Sequence, residues 1–179
     1  DPYHSSISFG INHIGLATYI ARFVSYKGTL KLDPGNLAAS KVELTIDPTS
    51  IRTDFSGDYA GTHKGTPYKT FDEALAMDAK FLDAGKYPQI SFTSTQVEKT
   101  ASGLKITGDL NFRGVTKPVV LDATVVGSIE KHPFTQKGAV GFSATTTFKR
   151  SDFGMTEYLK PAMLGDDIRL SFEGEFHQN

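Results

Sequence analysis

Residues 108–126 read GDLNFRGVTKPVVLDATVV, two alternating apolar runs on either side of a polar RGVTKP. Leading into the turn, Leu104, Ile106, Gly108, Leu110 and Phe112 share one parity, while Lys105, Thr107, Asp109 and Asn111 share the other. Successive side chains alternate faces along a strand, so this pattern describes a strand with one buried and one wet side. Val119, Leu121, Ala123 and Val125 continue the alternation beyond the turn, with Asp122 and Thr124 opposite. The stretch predicts a β-hairpin whose apolar face needs a cover.

The same period recurs outward from the hairpin. Ile7, Phe9, Ile11 and His13 alternate with polar residues and predict a strand over 3–13. The region 17–32 is extended but ambiguous in register, with Val24, Tyr26, Leu30 and Leu32 on one parity and Tyr19 and Phe23 on the other. Val42, Leu44 and Ile46 predict a strand after the turn-forming DPGN at 33–36, with Pro48 ending it. Ile90 and Phe92 open another strand, Val140, Phe142, Ala144, Thr146 and Phe148 share a face in a further one, and Ile168, Leu170, Phe172, Gly174 and Phe176 mark the last. About eight strands result, mostly without intervening helices, so the predicted class is all-β and mainly antiparallel. Eight such strands either close into a barrel or flatten into a sandwich.

One region breaks the period. Residues 54–69, DFSGDYAGTHKGTPYK, hold three glycines and predict a mobile loop. Thr70-Phe71-Asp72-Glu73 has the spacing of a capping box, predicting a helix over about 71–83, with a break near Met77 and Asp78.

A chain of 179 residues supports one domain over 1–179 with a substantial core. Nineteen basic against 20 acidic residues leave no field to favour nucleic acid. No apolar run reaches the roughly 18 residues of a membrane-spanning helix. The absence of cysteine excludes disulfides without fixing the redox compartment. The inward faces mix Gly108, Ala123, Ala144 and Gly174 with large apolar residues, which permits either a tapering solid core or a cavity.

Catalytic and metal motifs are absent from the linear sequence. Neither a nucleophile elbow nor a phosphate-binding glycine loop is present, and the five histidines have no ligand spacing. His4 and His13, nine apart, are read as one strand's opposite faces, and His63, His132 and His177 as loop and terminal residues. His13 follows Phe9 and Ile11 inward, either as a hydrogen-bonded core histidine or as a head-group contact at a channel mouth. Arg150 and Asp152 are read as organising a turn, with the same caution for Asp109 and Arg113. FGMTEYLKPAML at 153–164 forms either a packed loop or a flexible apolar rim.

GDLNFRGVTKPVV followed by LDATV closely resembles the hairpin of the YceI-like family of lipocalin-like, polyisoprenoid-binding proteins. HSSISFGINHIG at 4–15 resembles that family's opening strand, DAKFLDAGKYPQISFTS at 78–94 its helix end and next strand, and FKRSDFGM at 148–155 its late strand and turn. The resemblance implies an eight-stranded antiparallel barrel with a short helical insertion, whose apolar channel binds, stores or transports a polyprenyl chain, an isoprenoid quinone or a fatty acid derivative. It implies no required cofactor and no catalysis, an enzyme acting on such a lipid being the alternative. A homodimer is plausible, and donor and acceptor proteins are unspecified. It further implies the bacterial periplasm, with the DPYHSS start suiting a mature end after signal-peptide removal, although some members are cytoplasmic. The expected ligand-binding residues are Phe9, Ile11, His13, Phe92, Leu110, Phe112, Leu121, Phe142, Leu170 and Phe172, with no metal site.

Overall fold

The computed structural model describes residue 1, residues 3–160 and residues 163–179. Among the described residues, ten strands form one sheet: β1 (Ser6–His13), β2 (Ala17–Phe23), β3 (Tyr26–Lys31), β4 (Lys41–Ile46), β5 (Ile51–Arg52), β6 (Ile90–Lys99), β7 (Leu104–Phe112), β8 (Val115–Ile129), β9 (Ala139–Lys149) and β10 (Leu164–His177). Their order is β3-β4-β6-β7-β8-β9-β10-β1-β2-β5, and every paired neighbour runs antiparallel. β2 and β3 lie toward opposite ends of that order, yet only Val24 and Ser25 separate them. Two residues span little more than 10 Å, so the sheet must curl until its ends meet, giving a barrel. Ser50 stitches the corner, its carbonyl accepting from the Val24 amide at 3.2 Å and its hydroxyl from the Ser25 amide at 3.0 Å. The Tyr26 hydroxyl also donates to the Ser5 carbonyl.

Two strands beyond the expected eight arise here. The 17–32 region bends into β2 and β3, and β5 is a two-residue extension. Tyr19, Phe23, Gly28 and Leu30 all reach the interior. The inward parity is therefore odd in β2 and even in β3, because the corner shifts it by one; a single alternating run could not describe both.

The β1–β2 hairpin closes through three residues, 14–16, with positive φ at Ile14 and Gly15, and the β7–β8 hairpin through the two-residue turn Arg113-Gly114, with positive φ at both, the geometry that matches strand twist. The second corrects the expected RGVTKP turn. Only Arg113-Gly114 turns, and β8 begins at Val115, with Pro118 already paired to Asp109. Val125, expected inside, is half exposed, because the end of β8 runs past the enclosed barrel.

The helical insertion is shorter than the expected 71–83. α1 (Tyr59–Thr62) lies within the expected loop, and α2 (Phe71–Met77) stops at Asp78, which turns extended. No second helix follows the break; turns return the chain, with the Leu82 amide donating to the Leu75 carbonyl. The cap is a variant of the expected box. The Thr70 hydroxyl accepts from the Glu73 amide at 3.0 Å, but the Glu73 carboxylate reaches the Lys69 amide, at 2.7 Å, rather than that of Thr70.

Candidate lipid-binding cavity

Strand polarity gives the barrel two unlike ends. The turns 14–16 and 113–114, the β9–β10 connection and both helices gather at one end. The connections 32–40, 100–103 and 130–138 gather at the other, together with the C-terminal end of β10. Between them lies a cavity of about 900 Å³. Its deep part is lined by Leu30, Val42, Leu44, Ile106, Leu121, Ala123, Phe142 and Phe176, without an ionisable group. At the helical end, His13, His63, Lys64, Asp78, Lys80 and Arg150 join the lining, with Phe71, Phe81, Tyr158 and Met163 around them. This end is the mouth.

All ten residues expected to bind ligand line this cavity. Ile11, Phe92, Leu110, Phe112 and Phe142 are buried, whereas Phe9, Leu121, Leu170 and Phe172 point inward yet remain half-buried, because they face open space instead of a packed neighbour. His13 is exposed at the mouth, which removes the core-histidine reading. His4 precedes β1 and so does not share a strand with it.

The sequence reading missed much of the mouth. Tyr59 stacks on Phe71, with ring centroids 5.5 Å apart, and on His63, at 4.2 Å; Phe55 meets both Tyr59 and Phe71 edge-on. The 54–69 segment is thus docked through aromatic rings onto α2. Across the opening, Phe81 stacks on Tyr158 at 6.2 Å. Of the 153–164 segment, Phe153 and Met155 are buried, and Tyr158, Met163 and Leu164 line the cavity; Pro161 and Ala162 lie outside the described residues.

Tyr19 is the exceptional polar group. It lines the cavity, and its buried hydroxyl has no hydrogen-bond partner among the described residues. Burial pushes its pKa up; the adjacent Thr53 hydroxyl works against this, and the Asp72 and Asp54 charges add to it. Thr53 is itself committed, donating its hydroxyl to Asp72 at 2.6 Å. The Tyr19 hydroxyl is left able to donate to a bound molecule.

Arg150 serves structure at the same end. Its buried guanidinium donates to the carbonyls of Gly165, Met155, Glu157 and Leu164 at 2.7 to 3.1 Å, tying the β9–β10 connection together. Desolvation pulls its pKa down, with the nearby Asp166 charge opposing. The expected partner Asp152 pairs instead with Lys117, at 3.4 Å. Arg113 likewise holds backbone, donating to the Phe81 and Ala79 carbonyls.

A curled antiparallel barrel with an apolar interior and a polar mouth defines a lipocalin-like binding protein by its architecture. The family model for the YceI-like domain matches residues 1–176, and the chain belongs to the YceI-like family. It is 38% identical to Protein YceI of Escherichia coli O17:K52:H18 over 171 residues, covering 96% of this chain and 81% of the relative. The Campylobacter jejuni YCEI protein, 30% identical, superposes with a TM-score of 0.73 over 94% of this chain and 90% of that one. Two more distant structures share the fold: Burkholderia cenocepacia BcnA (21% identity, TM-score 0.78, 98% of each chain) and a polyisoprenoid binding domain from Saccharophagus degradans implicated in plant cell wall breakdown (13%, TM-score 0.64, 98% of this chain and 94% of that one).

Proposed function

We propose that the barrel carries or stores a long-chain isoprenoid-type lipid, hydrocarbon in the depth and head group at the mouth. The observation behind this is the cavity itself. Its apolar depth is a poor place for water and a good one for hydrocarbon. Water finds few hydrogen-bonding partners along the phenylalanine- and leucine-lined depth, whereas hydrocarbon gains about 0.8 kcal/mol per buried methylene. Ten buried carbons supply about 8 kcal/mol, equivalent to micromolar affinity before the costs of association. At the mouth, Lys64 and Lys80 favour an anionic or strongly dipolar head, and Tyr19 offers a donor one layer below.

The polyisoprenoid-binding description of the Saccharophagus degradans domain supports this ligand class. In this reading the protein is non-catalytic and needs no cofactor. It works in the periplasm, where a soluble shuttle for apolar chains has a use, and a homodimer is compatible with it. Cell fractionation tests the compartment, and light scattering coupled to gel filtration tests the dimer.

Binding of polyprenyl alcohols of graded length to delipidated protein tests the ligand class. Affinity is expected to climb by up to about fourfold per added methylene until the cavity is full. A flat dependence on length would contradict tail recognition, and chemical conversion of the alcohol over many turnovers would favour the enzyme alternative.

A further inference from the structure

At the barrel end opposite the mouth, the chain gathers ligating side chains that its linear order disperses. Phe176 points into the cavity, so its neighbours Glu175 and His177 project from the outer face of β10. The 130–138 connection brings His132 against them, its ring centroid 4.7 Å from that of His177. One ligand atom each from His132, Glu175 and His177 lies within 4.8 Å of the others. Asp1 joins them: its Oδ2 is 3.4 Å from His177 Nε2, which is itself 3.3 Å from Glu175 Oε2. His4 Nδ1 is also 3.4 Å from that Asp1 oxygen.

We propose that His132, Glu175 and His177, with Asp1 as the fourth donor, bind a divalent transition-metal ion of the zinc class. Two imidazoles with carboxylates are a nitrogen and oxygen donor set suited to zinc, cobalt, nickel or copper, and too rich in nitrogen for calcium or magnesium. With metal–ligand bonds of about 2.0–2.1 Å, adjacent ligand atoms of a tetrahedral site stand about 3.3 Å apart. The Glu175–His177 and Asp1–His177 separations already match that edge. His132 needs only a small adjustment. Its Nδ1 is held by amides of Phe134 and Thr135 at 3.4 Å, contacts long enough that turning the ring sacrifices little. An ion pair between His177 and the carboxylates explains those two contacts but assigns no role to the second imidazole beside them. A bound ion would pin residue 1, the 130–138 connection and the end of β10 to one another, closing the floor of the barrel.

Zinc titration of chelator-treated full-length protein by calorimetry tests the site. One ion per chain is expected, with a thermal midpoint raised by about 5–10 °C at a hundredfold excess over the dissociation constant. Cobalt in its place should give the intense visible bands of tetrahedral coordination. The His132→Ala/His177→Ala pair should lower zinc affinity at least a hundredfold, and Glu175→Gln, which keeps its shape on the strand, should also weaken it. Glu98→Gln, a carboxylate removed elsewhere at the same end, should not. Full affinity in the double histidine variant, or only weak binding without one-to-one stoichiometry, would overturn the proposal.

Discussion

The ring of Phe92 on β6 lies against Gly108 on β7, where an added Cβ would collide with the ring and with the Thr93 carbonyl. Phe172 covers Gly174 on β10 in the same manner. These glycines are therefore sockets for phenylalanine rings of the cavity wall, and neither leaves space for ligand. Gly108→Ala is expected to destabilise the barrel by about 1–3 kcal/mol through overpacking. A urea midpoint lowered at unchanged m-value checks this, and an unchanged midpoint would show that Phe92 relaxes freely.

Ala144 behaves differently. It is paired with Ala123 on β8 and Phe172 on β10, and both alanines line the cavity. Ala144→Trp should fill the central channel and lower the lipid load severalfold, while far-ultraviolet circular dichroism stays that of the parent. A folded variant with the full load would mean that ligand lies elsewhere.

Removing the Arg150 guanidinium leaves four backbone carbonyls of the β9–β10 connection without their donor. Each buried orphan costs about 1–3 kcal/mol, so Arg150→Met is expected to lose at least about 3 kcal/mol of stability by denaturant titration. A loss below 1 kcal/mol would show that water replaces the side chain.

Acid stability should reflect Asp166. Burial pushes its pKa up, but hydrogen bonds from the Ser151 amide and hydroxyl, at 3.0 and 2.8 Å, and the Lys149 and Arg150 charges outweigh this and leave it below the usual carboxylate range. A depressed folded pKa stabilises fully above the unfolded value, near 3.9, and that contribution disappears as pH falls through the folded one. Asp166→Asn should flatten the acid limb of the stability profile below about pH 4. An identical limb in both proteins would assign acid sensitivity to other carboxylates.

The docked 54–69 segment should behave as the least protected part of the mouth, held by Phe71. Phe71→Ala is expected to raise amide exchange in 54–69 and speed lipid release, with the deep strands unaffected. Equal exchange in parent and variant would remove the aromatic contacts from a gating role.

Alternation revealed the strands because inward and outward residues obey a two-residue period, and it placed Phe9, Phe92, Leu121 and Phe172 on the interior faces, whereas closure into a barrel rather than a sandwich came from the family resemblance. Alternation failed where the backbone changes phase or abandons the period. Tyr19 and Phe23 were obscured by the Val24-Ser25 corner, Tyr59 and His63 belong to a one-turn helix and its cap, too short to show a period, and Phe81 sits on a turn that has none. The size of the cavity was equally hidden, since whether Gly108 or Ala144 leaves space depends on which neighbouring ring leans over it. His132 and His177 lie 45 positions apart in number and meet only through sheet register.

Native mass spectrometry of protein purified without detergent or organic solvent tests lipid carriage most directly. One long-chain isoprenoid or similar amphiphile per barrel is expected, released on denaturation and diminished in Ala144→Trp. A ligand-free mass for the folded parent, unchanged after incubation with polyprenyl alcohols or isoprenoid quinones, would contradict the reading of the barrel as a lipid carrier.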